Sequence, residues 1–139
     1  MKVFVYYIGR PKDQHLNALA EDYMGRVARY TTAQMAEVRV ERTTIWAKHP
    51  TARKVFLDPA GQKVDSTGFA ALVSKAELEA RDLLFLIGGH DGLPGAWVVN
   101  ADLRLSLSAL TMPHELARVV LTEQIYRAFA TLRGHPYPR

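Results

Sequence analysis

Glu123 and Arg127 stand four residues apart near the C-terminus, acid before base, the order that favours an ion pair along a helix. Tyr126, Ala130 and Arg133 fall on the same face at 3.6 residues per turn, and Leu121, Ile125, Ala128 and Leu132 make an adjacent apolar stripe. Such a face is either solvated charge or a place where a guanidinium meets an anion. Upstream, three segments end apolar runs in turn-forming residues: Leu57-Asp58-Pro59-Ala60-Gly61, Leu86-Ile87-Gly88-Gly89-His90-Asp91-Gly92, and the stretch from Leu105 to His114. Glycines in the second let a backbone approach a ligand closely. Their spacing is not the dinucleotide fingerprint, and no P-loop pattern exists. The histidines, His15, His49, His90, His114 and His135, lack ligand-like spacing, so no metal is expected. The chain has no cysteine, which excludes disulfides, thiolate metal sites and a cysteine nucleophile.

These residues must be positioned by regular elements. Residues 2–8 are β-branched or aromatic and read as a buried strand, ended by Gly9-Arg10-Pro11. Asp13 can cap a helix to about Tyr30, with apolar residues recurring at three and four. Residues 34–41 alternate as a second strand, and 42–52 have no period and read as a loop. Lys54 to Asp58 is a third strand, closed by Pro59-Ala60-Gly61, and Ser66 can cap a helix through about Leu78. Leu83 to Ile87 is a continuous apolar run, as a central parallel strand requires. Ala96 to Ala101 reads as a short helix and Leu103 to Leu107 as a fifth strand. Pro113 opens a long helix to about Leu132, stopped by Gly134 and Pro136. Strands alternating with helices predict one α/β domain over residues 1–139, with a mostly parallel sheet and helices on both faces. In such sheets ligands sit beyond the carboxyl ends of the strands. The connection over 42–52 is short for a crossover helix.

At 139 residues, 48% hydrophobic and 23% charged, the composition is that of one globular domain. Net charge is +4, unevenly spread. Residues 1–58 hold ten Lys/Arg against six Asp/Glu, 59–112 four against six, and 113–139 four against two. A basic excess at both ends suits a polyanion such as nucleic acid. No targeting segment and no membrane-length apolar run is seen, so a soluble cytoplasmic protein is expected.

Taken together, LIGG-HDG (86–92), LSLSALTMPHELARVVLTEQIYRAF (105–129) and GHPYPR (134–139) resemble the SPOUT class of methyltransferases. Within that class the chain looks like the small enzymes that methylate a pseudouridine of large-subunit ribosomal RNA. Residues 53–72 resemble the preceding family segment, and the first 45 match mainly in pattern. The resemblance implies an α/β trefoil knot in the C-terminal half, with S-adenosyl-L-methionine held in it. Its implied cofactor-binding residues are Leu57, Gly88, Gly89, Ser108, Ala109, Leu110, Thr111, Met112 and Pro113. Its implied catalytic residues are Glu123, Tyr126, Arg127, His135 and Tyr137, with the tail beside the methyl donor. It also implies a homodimer with a shared site, to which His114 and the apolar parts of the last helix are expected to contribute, and ribosomal RNA of the ribosome as partner, without membrane or metal.

Two departures carry consequences. Pro138 stands where the family carries a histidine, which predicts weak proton transfer. The 42–52 stretch is too short for the family's full helix, and a loop bearing Arg42, Lys48, Arg53 and Lys54 replaces it. The expected chemistry is direct methyl transfer to ring nitrogen 3 of pseudouridine, with no metal. The rival readings are another RNA target and a catalytically weak or dead RNA-binding module.

Overall fold

A computed structural model describes residues 1–41 and 45–137. Five strands form one sheet: β1 (Val3–Ile8), β2 (Ala33–Val38), β3 (Arg53–Lys63), β4 (Leu83–Ile87) and β5 (Leu103–Ser106). Their spatial order is β2-β1-β4-β3-β5, and every pairing is parallel. β4 is central, and all five of its side chains are buried, which is why it reads as an unbroken apolar run.

The two faces are covered unequally. α1 (Gln14–Val27), α3 (Ser66–Leu78) and α5 (His114–Leu132) pack on one face, over Val3, Val5, Val55, Leu83, Phe85 and Leu105. The other face has two single-turn helices, α2 (Ile45–Lys48) and α4 (Gly95–Val98). Ile45 and Trp97 close it over Phe4, Tyr6, Phe56, Leu84 and Leu86. Trp46 meets Trp97 edge-on, with ring centroids 5.7 Å apart. This compact aromatic lid lets a short connection cover two strands on its way from β2 at the sheet edge to β3. The 42–52 loop therefore contains one helical turn, while Arg42 lies outside the described residues.

Three local expectations are corrected. The cap of α3 is Asp65, whose side chain accepts the Gly68 N–H at 2.8 Å; Ser66 is the first helical residue, and its hydroxyl bonds Gln124 instead. α1 stops at Val27 rather than Tyr30. Strand β3 does not end at Asp58. Leu57 and Gln62 both oppose Leu105, so residues 58–61 bow out and pairing resumes through Lys63. A Cβ on Gly61 would lie 2.6 Å from the Arg104 carbonyl carbon, so only glycine lets the returning chain press against β5.

Helix α5 fills the groove between α1 and α3, and its Leu121, Ile125, Ala128, Phe129 and Ala130 are buried. Its end is sharp. Gly134 takes φ +71°, its N–H reaches the Thr131 carbonyl, and the His135 N–H reaches the Ala130 carbonyl. That reversal sends the tail back along the helix it has just left.

Candidate active site

The carboxyl ends of β3, β4 and β5 surround a cavity of about 560 Å³. That volume lies in the range of small-molecule sites, roughly 300–1,000 Å³. Leu57, Gly88, Gly89 and every residue from Ser108 to Pro113 line it, so the structure gathers all nine expected cofactor residues into one wall. His90, Leu107, His114 and Ala117 line it too. Leu110 is 80% exposed at the rim.

The loop after β5 is shaped from within. The buried Ser106 hydroxyl donates to the Ser108 carbonyl at 3.0 Å, and the Ser108 hydroxyl accepts the Leu110 N–H at 2.9 Å. These bonds bend 106–110 without regular structure. On the opposite side, Asp58 accepts the Ala60 N–H at 2.9 Å and faces Arg104 at 3.5 Å. The glycines also have a structural task. A Cβ on Gly88 would lie 2.5 Å from the Gly92 carbonyl carbon, and one on Gly89 would lie 3.0 Å from the Ile8 carbonyl oxygen. Their missing side chains let the 88–93 turn close on itself and on β1.

A second constellation lies farther along α5. The Glu123 carboxylate accepts from Arg127 Nε at 3.1 Å and Nη2 at 2.6 Å, from the Tyr137 hydroxyl at 2.7 Å, and from Gln124 Nε2 at 2.9 Å. Ser66 Oγ bonds the Gln124 side-chain oxygen at 2.9 Å, tying the cluster to α3. Arg127 is held firmly protonated by its hydrogen bonds to Glu123. The Tyr137 phenol is pushed well above its ordinary range by burial and by donating to Glu123. Its ring sits 4.5 Å from Tyr126, and the Arg127 guanidinium lies 5.5 Å from the Tyr137 centroid. His135 Nδ1 accepts the Tyr137 N–H at 3.2 Å.

Tyr126, Arg133 and Leu132 depart from the expected faces. Tyr126 is buried against Tyr23 and Tyr30, Leu132 is exposed, and Arg133 pairs with Glu77 of α3. None of the five expected catalytic residues lines the cavity of its own chain. Glu123 is nine residues beyond His114, about 14 Å along the helix axis. Pro138 lies outside the described residues.

Two residues of the region carry no obvious sequence signal. Glu115 Oε1 accepts the N–H groups of Lys12 and Asp13 at 2.9 and 3.2 Å, binding the β1–α1 loop to the start of α5. Arg118 is 2% exposed, with its guanidinium 3.9 Å from the Tyr7 centroid and 2.9 Å from the Asn17 side-chain oxygen. Apolar periodicity does not predict a buried arginine. Among the described residues no three His, Asp or Glu side chains are grouped so as to hold a metal ion, and no helix is long and apolar enough to cross a membrane.

The family described as "Predicted SPOUT methyltransferase" matches residues 1–138. The chain belongs to this SPOUT methyltransferase family. It is 63% identical over 139 residues to a protein of Solibacter usitatus named ribosomal RNA large subunit methyltransferase H, covering 100% of both chains. A protein of the same name from Sorangium cellulosum is 39% identical, with 99% of each chain covered. Solved structures share the fold at low identity. A probable methylase family protein from Haemophilus influenzae superposes with TM-score 0.69 at 9% identity, over 99% of this chain and 70% of that one. An AdoMet-bound rRNA methyltransferase from Sinorhizobium meliloti superposes with TM-score 0.57 at 13% identity, over 91% and 56%. The α/β fold read from the alternating elements, and the SPOUT membership read from residues 86–92, 105–129 and 134–139, therefore hold for the whole chain.

Proposed function

We propose that this SPOUT methyltransferase transfers a methyl group from S-adenosyl-L-methionine to N3 of a pseudouridine in large-subunit ribosomal RNA, in the cytoplasm. The observation that carries this reading is the convergence of Leu57, Gly88, Gly89 and Ser108–Pro113 on one cavity at the parallel strand ends. Its fit to the cofactor is chemical. Leu57, Leu107 and Met112 offer apolar walls to a flat purine, and the loop after β5, held bent by its internal bonds, brings backbone to the same wall. When bound, the cofactor supplies an activated methyl on a sulfonium that leaves as a neutral thioether. The family's knot fits this chain because α5 follows directly from the loop that lines the cavity, and the 58–61 bow lies beside that loop.

The chain's own groups orient the substrate. The Glu123 carboxylate accepts from Arg127, Tyr137 and Gln124 together, so it acts as a hub that fastens the tail. Tyr137 keeps its proton, and His135 uses Nδ1 to accept a backbone N–H. None of these three groups is placed to take the N3 proton, and Arg127 and the tail serve to hold the base in line with the methyl. About 9 Å of helix, from Ala117 at the cavity wall to Glu123, separates the start of the cluster from the cavity within one chain. A homodimer resolves this by presenting one subunit's tail to the other's cavity. Exposed Leu19 on α1 and Leu116 on α5 give the two copies an apolar contact.

The test is methyl transfer from isotopically labelled S-adenosyl-L-methionine to ribosomes with and without the pseudouridine, read by mass spectrometry of the rRNA. Label on N3 of pseudouridine is expected. Equal labelling of unmodified uridine, or no cofactor binding in a calorimetric titration, would overturn it.

A further inference from the structure

The cavity wall offers a polyanion little charge. Its charged side chains are Asp58 and Arg104, and they face each other at 3.5 Å. The cations gather at the opposite pole, where the parallel strands begin. Lys2 precedes β1, Arg81 precedes β4, Arg53 and Lys54 open β3, and Lys48 ends α2. Val3 and Arg53 both flank Leu83, so these strand starts share one edge, with neighbouring strands about 4.8 Å apart.

Five cations here meet three carboxylates: Glu79 at the end of α3, and Asp82 and Asp102, both of which accept backbone amides. Asp82 accepts the Lys2 N–H at 2.8 Å, and Asp102 accepts the Lys54 N–H at 2.7 Å while Arg81 lies 3.8 Å away. They staple the strand ends. The ammonium groups of Lys2, Lys48 and Lys54 make no ion pair among the described residues. Arg53 Nε is buried without a hydrogen-bond partner. The His49 ring packs tilted against Phe4, with centroids 4.2 Å apart, and bonds the Tyr6 hydroxyl at 2.8 Å. Burial pushes its imidazole down, Asp82 pushes it up, and the positive charges of Lys48, Lys54 and Lys2 lower it again.

We propose that this pole is a second docking surface for ribosomal RNA, gripping phosphates remote from the target base. The inference rests on the proposed rRNA substrate and names how that substrate is held. The cavity end does the chemistry, and the opposite edge of the sheet, about 20 Å away along a six-residue strand, supplies the electrostatic grip. It also gives a role to the short basic connection that carries Lys48, Arg53 and Lys54. The binding is non-specific in sequence and salt-sensitive, as phosphate contacts are.

The test compares ribosome binding by the native protein and two triple variants across about 50 to 200 mM salt. One removes the pole lysines (Lys2→Gln, Lys48→Gln, Lys54→Gln). The other removes equal charge from the loops nearer the cavity (Arg10→Gln, Lys12→Gln, Lys63→Gln). The pole variant is expected to lose at least tenfold in affinity, and its log–log salt slope to flatten by about 2, at roughly 0.7 per phosphate contact. Cofactor affinity, measured by calorimetry, stays native and reports an intact fold. Native affinity and slope in the pole variant, or a larger loss in the cavity-side variant, would overturn the proposal. Pole-dependent binding by a native protein that transfers no methyl would instead sink the proposed activity and leave the docking surface standing.

Discussion

Replacing Glu123 by Gln tests the idea that this carboxylate fastens the tail. The substitution keeps the side-chain shape and removes the charge that Arg127 and Tyr137 address at 2.6 and 2.7 Å. A hydrogen bond to a charged group contributes about 1.5–3 kcal/mol, against about 0.5–1.5 for a neutral one. Glu123 and Arg127 are 16% and 29% exposed, so solvent compensates only part of the loss. The Tyr137 bond should weaken by about 1–1.5 kcal/mol, and about 1.4 kcal/mol is tenfold in an equilibrium. The detached tail population should rise about tenfold. With the Tyr126 and Tyr137 rings 4.5 Å apart, the nuclear Overhauser effect between them reads the docked state. It should fade in Glu123→Gln, and kcat should drop while cofactor KM holds, because the cavity wall is untouched. The pH dependence has a definite sign. Tyr137 titrates above the ordinary tyrosine value of 10.0, so its contribution is complete below that value and is lost as pH rises through the folded one. The native signal should therefore be flat across neutral pH and fade only in strong alkali. A native-strength ring signal in the variant, or a parallel loss of cofactor affinity, would refute the tail-hub reasoning.

The remaining predictions concern the cavity, the assembly, the loop tether and the altered tail. Ala117→Phe, on the first turns of α5, should fill the cavity and weaken S-adenosyl-L-methionine binding at least tenfold in calorimetry while the melting temperature stays near native. Gly89→Val is the poorer probe, because its side chain meets β1 first. Sedimentation at micromolar concentration should report about twice 15.6 kDa, and mixing Ala117→Phe with Arg127→Ala subunits should restore some transfer if the site is shared. Glu115→Ala frees two N–H groups and should cost about 1 kcal/mol in denaturant unfolding. That difference should shrink in acid, because the two N–H groups hold the Glu115 carboxyl below its ordinary value and its contribution is lost as pH falls through the folded one. Pro138→His should raise the single-turnover rate, since general acid–base help is worth about 10²–10⁴, and should add a titration near pH 6–7. An unchanged rate profile would show that water already meets the proton demand.

Some of this protein is determined locally and can be read from the chain. The apolar run Leu83–Ile87 had to be a central strand, because only a strand covered on both faces buries every side chain. Asp13 had to cap, and Gly134 to end, their helices for reasons of local hydrogen bonding and φ. The ordered segments 86–92 and 105–129 carried the family, and with it the membership of the cavity wall. Tertiary structure decided the rest. That 58–61 bows out and β3 resumes depends on Gly61 lying against Arg104, a contact between residues 43 apart. That Tyr126 is core while Arg127 pairs with Glu123 beside the tail depends on α5 being wedged between α1 and α3, which a single helical face cannot reveal. Whether a charge is free or occupied also belongs to the folded state. Asp82, Asp102 and Glu115 look like ordinary surface acids in the sequence, but the fold turns their carboxylates onto distant backbone amides. The lysines beside Asp82 and Asp102 make no ion pair among the described residues, and only the three-dimensional pairing of strands brings the N–H groups within reach of those carboxylates.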